Sequence, residues 1–464
     1  MGCRSGSHKR GSDLEQRAKR KMHTNEQVRS LILGMANGAV VTALQPQPAT
    51  AAKRQNSLKT LRAAIAIGFV LAVVLMPSAQ AQTYTVLHNF TGGQDGGTSF
   101  APLTMDNAGN LYGTAYHGGT AKQGVVFKLT RKGGSFVFNT LHSFGDGEGN
   151  GPYSKVTIGP DGSLYGTTQT GVLGPGCEGL GCGTVFNLKP PPTACKSALC
   201  AWSYSLVYQF PAGGNSGAFP TSAPVFDHNG NMLGATPGDV SYGNVYELKP
   251  SNGSWTQSVL HSFTGGSDGN YPAGDVIWDQ AGNLYGVTYM GGTSGDGVVY
   301  QMAPSGSGWT ENVLHSFDPA SDGANPDAGL IFDKSGNLYG TTTGDSTDGV
   351  GTVFMLSPAG GAWTSTVLYR FSKWEEPRAS LAMDAAGNLY GTADRGGKDR
   401  GGTIFKLTPG GGGWTYSVLK EFIDPCDEGC FPRGGVILDA SGNLYGTTSG
   451  GGTYGQGVVW EIMP

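Results

Sequence analysis

The stretch DASGNLYGTTSGGG, residues 439–452, is written again and again along this chain. It returns as DKSGNLYGTTTGD from Asp333 and as DAAGNLYGTADRGG from Asp384. Aligned on the Gly of Leu-Tyr-Gly, the copies stand at Gly113, Gly166, Gly234, Gly286, Gly340, Gly391 and Gly446, between 51 and 68 residues apart. The third copy is degenerate, because Asn231-Met232-Leu233-Gly234 lacks the Tyr. A period of this size, punctuated by Gly and aromatics, marks propellers and solenoids.

Each unit holds four β-like segments. In the fifth they are AGLIFD (328–333), NLYGTT (337–342), GTVFML (351–356) and TSTVLYRF (364–371). The first is apolar on both faces, as in a strand buried within an assembly, and no stretch beyond residue 81 keeps helical spacing. Turns between the third and fourth segments end in Trp255, Trp309, Trp363 and Trp414. The ends of the repeat region separate a ring from an open array. TYTVLHNF (83–90) is a fourth segment with nothing before it, and GVVWEIM (457–463) is a third with no fourth after it. Joining them removes the exposed edges that an open array must cap. The expected fold is therefore all-β: a seven-bladed β-propeller with four-stranded blades over 83–464, its ring closed by the N-terminal strand 83–90 completing the last blade.

Composition agrees. Gly is 79 of 464 residues and charged residues only 14%, while aromatics stay at 10%, which is not the composition of a disordered chain. Residues 1–62 carry 12 Lys/Arg against 3 Asp/Glu and read as a basic, disordered leader. From Gln82 onward 31 acidic residues outnumber 18 basic ones, which argues against nucleic acid and anionic membrane as partners. Residues 63–81 read as a signal peptide core and cleavage region. The apolar run AAIAIGFVLAVVLM is short for a membrane span and is followed by Ala79-Gln80-Ala81, a small-x-small cleavage pattern. Cleavage after Ala81 is expected, an uncleaved anchor helix being the alternative; Met35 is an alternative start.

Six cysteines fall in local pairs, which suits disulfides in an oxidising compartment: Cys177–Cys182, Cys195–Cys200 and Cys426–Cys430. Cross-pairing of the first two pairs is disfavoured by the strand GTVFNLK (183–189), roughly 20 Å long at ~3.3 Å per residue.

The repeated words read as scaffold. Asp106, Asp227, Asp279, Asp333, Asp384 and Asp439 each precede x-x-Gly, a hairpin recipe in which Asp caps its own turn; the second unit has Gly159 there and Asp161 displaced. His88, His142, His261 and His315 occupy the word V/T-L-His-Ser/Asn-Phe, a place assigned to Gln209, Arg370 and Glu421 in the other copies. On outermost strands these histidines stand too far apart to share a metal, so sheet packing is expected. Asp95, Asp268 and Asp322 read as Asp-Gly turns, since calcium takes 6 to 8 oxygens and each loop offers mainly one carboxylate.

The unit D-x-x-GNLYGTT-x-x-GG…GTVF-x-L-x-P…WT-x-x-VLHSF resembles the GloVer tandem repeat of exported bacterial proteins over residues 83–464. The resemblance implies secretion or surface display and no common activity. More loosely, P-x-G-x-x-x-D-x-x-GNLY is similar to NHL and gluconolactonase-like propellers. No catalytic set carries over from these, since matching acidic and Asn ligands on successive inner strands are not found.

A site is expected on the face where irregular loops gather. The strongest departures are SKWEEPR (372–378) and DRGGKDR (394–400). Trp374 offers a platform beside Glu375, Glu376 and Arg378, with Arg395, Lys398, Asp399 and Arg400 nearby in sequence. Four residues before the turn position stand Pro102, Lys155, Ala223, Asp275, Gly329, Ser380 and Gly435, of which Lys155 and Asp275 are candidates to line the central mouth. One carboxylate in seven is a poor metal-ligand set. The expected function is a secreted or surface-exposed, monomeric binding module for an extracellular glycan or protein. A metal-dependent lactonase- or lyase-like enzyme is the alternative. No catalytic residue, metal ligand or cofactor is assigned.

Overall fold

The computed structural model describes residues 82–464 except 172–176, 180, 193–200, 213–216, 239–240 and 345–348. The leader, the signal region and the predicted Cys195–Cys200 pair lie outside the described residues. Seven four-stranded antiparallel sheets form a ring, a seven-bladed β-propeller. In the first blade the strands run outward as Thr104–Met105, Leu111–Ala115, Val125–Lys132 and Ser135–Ser143. The seventh blade is built from both chain ends: Ile437–Leu438, Leu444–Thr447, Val458–Met463 and finally Thr83–Asn89. Tyr84 pairs with Ile462 and Val86 with Trp460, as the orphan segments require.

Each letter of the opening motif has a task. In the fifth blade Asp333 Oδ1 accepts the amides of Ser335 and Asn337, and Oδ2 accepts Asn337 Nδ2 at 2.7 Å and the Tyr339 hydroxyl at 3.1 Å. Burial alone would push this carboxyl up; the hydrogen bonds, those from Asn337 first, outweigh it and hold it below the ordinary value. The Leu is fully buried. The Gly has no side chain because an aromatic ring of the third strand occupies that space. A Cβ on Gly340 would stand 2.5 Å from Phe354, and the equivalent glycines face Phe127, Phe186, Tyr246, Tyr300, Phe405 and Trp460. The following Thr reaches the next blade: Thr114 to the Ser154 carbonyl, Thr167 to Ser222, Thr341 to Ala379, Thr392 to Gly434, and across the closure Thr447 to Ala101.

The innermost segments are shorter as strands than the sequence suggests, with two paired residues in six of the blades and Asn270–Trp278 in the fourth. Just upstream, carbonyls such as those of Ser154, Ser222 and Ala379 accept from the neighbouring blade, and pairing within the same blade resumes further on, as at Gly97 with His117 and Asn150 with Thr170.

Every outer strand carries a β-bulge at one place, leaving Leu87, Leu141, Val207, Leu260, Leu314, Leu368 or Leu419 without a direct partner. The pairing register corrects one expectation. The residues equivalent to the four histidines are Tyr208, Tyr369 and Lys420, paired opposite Val185, Val353 and Ile404 just as His142 pairs opposite Val126. Gln209, Arg370 and Glu421 are one residue further on. The histidines also meet the carboxylates of the loops that follow them: His88 lies 3.0 Å from Asp95 and His142 3.0 Å from Glu148.

The bulge position forms the joint to the next blade, in chemistry that changes around the ring. His88 stacks on Phe138 at 3.8 Å, His142 on Tyr204 and Tyr369 on Tyr416. Tyr208 donates to Gln257, and Lys420 sits over the ring of Tyr84, the joint that closes the circle. Between the third and fourth blades Asp268 lies 3.5 Å from His261 and acts on Glu311, whose carboxyl is pushed up to about 7, by burial first and then by that charge.

Two outcomes follow from this packing. Gly340→Ala, which drives a methyl into Phe354, lowers unfolding free energy by about 1–3 kcal/mol, while Gly411→Ala, with nothing within 4 Å, changes it little in denaturant melts. Glu311 has a folded pKa above its unfolded value, so its charge becomes a penalty as pH rises from about 4.5 through 7. Glu311→Gln therefore raises Tm at pH 8, and the gain fades towards pH 4.

Candidate functional site

Counting back from the turn position in steps of two follows the strand period and picks out successive layers of the central channel. The layer four residues before the turn is the floor. Lys155 of the second blade reaches over the third to Asp275 of the fourth, Nζ to Oδ2 2.9 Å, and Asp275 also accepts the Ala223 amide at 2.7 Å. The Asp275 charge pushes the Lys155 ammonium up. Elsewhere in this layer the backbones approach closely: a Cβ on Gly329 would meet the Asp275 carbonyl at 2.9 Å, and one on Gly435 the Ser380 carbonyl at 2.9 Å. The two predicted residues are thus brought together, and they hold each other.

The layer six residues before the turn is Phe100, Tyr153, Thr221, Ala273, Asp327, Arg378 and Arg433. All seven line one cavity of about 180 Å³, with Lys155, Asp275 and Ser380 below them. Arg378 spends all three nitrogens on carboxylates: Nη1 on Asp327 at 3.0 Å, and Nε and Nη2 on Glu376 Oε2 at 3.0 and 2.8 Å. Burial alone would lower its pKa, but Asp327 and Glu376 hold its proton more firmly than usual. Asp327 is pushed up by its burial, against the pull of Arg378. Arg433 donates Nε to Asp394 at 2.9 Å and lies over the ring of Phe100. Phe100 packs in turn on Tyr116 and Tyr153.

The rim, eight residues before the turn, is strained. Thr98, Phe219, Tyr271, Asn325 and Phe431 all have φ between 56° and 61°, and Gly151 fills the same place in the second blade. Each amide donates to a carbonyl of the preceding blade, as Tyr271 does to Tyr242 and Phe431 to Gly401. Glycine would adopt this conformation freely, whereas Phe and Tyr here cost of order 1–3 kcal/mol each. Such strain gathers at functional sites, and here it rings the mouth.

Trp374, with φ 73° and a 42% exposed side chain, lines a neighbouring cavity of about 430 Å³ together with Tyr289, Met290, Asn325, Glu376 and Arg378. Glu376 and Arg378 join this platform to the mouth. Glu375 accepts the Ser372 amide and packs on Gly396. Arg395, Lys398, Asp399 and Arg400 are exposed and line neither cavity. Two predicted disulfides are present: Cys177–Cys182 in a loop between second and third strands, and Cys426–Cys430 in the loop leading into the seventh blade. The residues missed are Phe100, Tyr153, Tyr271, Asp327, Asp394 and Arg433. Phe100, Tyr153, Asp327 and Arg433 lie one step of two beyond the layer that holds Lys155 and Asp275.

Asp394 is 2% exposed and lies between two arginines, 2.9 Å from Arg433 and 3.8 Å from Arg378. Asp394→Ala leaves those cations short of a partner and costs about 3 kcal/mol of stability in denaturant unfolding.

A repeat profile described as Gloeobacter/Verrucomicrobia repeat matches residues 72–203, 180–380 and 364–464. Among solved structures, the chain is similar to the periplasmic gluconolactonase of Pseudomonas aeruginosa at 17% identity, over 76% of this chain and 95% of that one, with a TM-score of 0.47. It is similar to a candidate 6-phosphogluconolactonase of Bacteroides uniformis at 14% identity, over 70% and 85%, with a TM-score of 0.47. A candidate glucose dehydrogenase of Thermus thermophilus is 16% identical over 82% and 100%, with a TM-score of 0.40. Likeness at this level carries none of their chemistry to this chain. No curated protein matches the sequence.

Proposed function

The chain belongs to the Gloeobacter/Verrucomicrobia repeat family, and on that premise we propose that it is an exported binding module that holds a carbohydrate at the mouth of its propeller channel. The observation that carries this reading is the layer of Phe100, Tyr153, Asp327, Arg378 and Arg433 around one cavity. Sugar recognition needs aromatic faces for the apolar side of the ring and fixed polar groups for its hydroxyls. The mouth offers both, with the polar groups positioned by ion pairs rather than left to solvent. The Trp374 cavity alongside extends the platform for a second sugar unit. Export is supported by the two disulfides, which persist in oxidising compartments.

A metal-dependent lactonase or lyase would be supported by three or more converging metal-ligating side chains. No such group occurs among the described residues, and Asp275, the only carboxylate of the floor, is bound to Lys155.

A combined glycan and peptide array tests the proposal. Glycans are expected to bind, and Tyr153→Ala to weaken the best of them at least tenfold while the folded β-structure is retained in circular dichroism. Trp374→Ala should weaken longer glycans more than short ones. Binding to peptides alone, or glycan binding indifferent to both substitutions, would overturn this reading.

A further inference from the structure

The cations at the mouth are not equivalent. Lys155 is held by Asp275, and Arg378 has each of its nitrogens on a carboxylate. Arg433 uses only Nε, on Asp394. Among the described residues neither its Nη1 nor its Nη2 has a partner, and the residue lines the cavity with its guanidinium over the ring of Phe100. One edge is therefore fixed by a charge-assisted bond and one face by an aromatic ring, while the outer fork is unspent. A guanidinium fork matches a planar two-oxygen acceptor, and each charge-assisted bond in that bidentate pair is roughly twice as strong as a neutral hydrogen bond. The nearby carboxylates Asp327, Glu376 and Asp394 are already held by arginine, so their charge is opposed before a ligand arrives.

Resting on the reading of the mouth as a sugar site, we propose that Arg433 anchors the carboxylate of an acidic sugar, a hexuronic acid residue seated beside Phe100, Tyr153 and Tyr271. The cavity of about 180 Å³ is smaller than the ~300–1,000 Å³ that holds a drug-sized ligand, so it takes one such residue rather than several.

Calorimetry of the full chain with trigalacturonate and with its fully methyl-esterified form isolates the charge on one sugar backbone. The acid is expected to bind at least tenfold more tightly than the ester. Arg433→Gln should weaken the acid at least tenfold and the acid far more than the ester, bringing the two to a similar level. Arg433→Lys, which keeps the charge on Asp394 opposed but lacks the fork, should recover less than half of the loss in binding free energy. Equal binding of acid and ester to the wild type overturns the assignment without recourse to any variant. If Tyr153→Ala still abolishes that equal binding, the mouth remains a sugar site and only the carboxylate anchor is wrong. If Tyr153→Ala changes nothing, both readings fail. Triglutamate binding as tightly as trigalacturonate would show that the fork takes any carboxylate, and would overturn the sugar assignment.

Discussion

The ring depends on a pairing between its two ends. Thr83–Asn89 becomes the outer strand of the blade that Val458–Met463 leaves unfinished, and Thr447 donates to the Ala101 carbonyl across the same seam. Lys420 over Tyr84 adds a joint at the outer edge. The site shares this dependence. Arg433 enters from the seventh blade and Phe100 from the approach to the first, so the guanidinium finds its aromatic partner only when the circle is shut. Closure therefore serves two ends: it removes two sheet edges, and it assembles the layer of side chains on which recognition is proposed.

The scaffold and the site use the repeat in opposite ways. Where the chain repeats itself, each residue has a structural duty: Asp holds the turn, Gly makes room for a ring, and Thr bonds the next blade. Where copies disagree, the side chains face the channel. The rim lies between these extremes. Its left-handed backbone is repeated around most of the ring, yet its residues are Thr, Phe, Tyr, Asn and Phe rather than glycine. A chain selected only for a stable ring would place Gly at these positions, as it does at Gly151. The bulky residues there accept strain that the surrounding interblade bonds sustain.

Much of this was legible in the sequence. The repeat counted the blades, the orphan segments closed the ring, and Asp-x-x-Gly announced the turns. The interblade joints were hidden because their chemistry changes from one to the next: a stack at His88 and Phe138, an amide acceptor at Tyr208 and Gln257, a cation over a ring at Lys420 and Tyr84. The word L-His-Ser/Asn-Phe marks one partner at His88, His142, His261 and His315, but no repeated word marks the residue it meets on the next blade. Gln209, Arg370 and Glu421 stand one residue off the true equivalents Tyr208, Tyr369 and Lys420, which the Phe two residues on marks in every copy, as at Phe144, Phe210, Phe371 and Phe422. The site was half visible. Lys155 and Asp275 follow from the strand period, and one further step of two leads to Arg433, Asp327 and Tyr153. The ladder of most inner segments ends after two paired residues, so nothing in the sequence marks how far the strand period continues towards the mouth.

A crystal structure of the chain with an array-selected oligosaccharide tests the central claim most directly. The account predicts density for a sugar ring in the mouth cavity, against Phe100 and Tyr153 and within hydrogen-bond distance of Arg433. Ordered sugar on the opposite face, where the Asp-x-x-Gly turns lie, with the mouth empty, would contradict it.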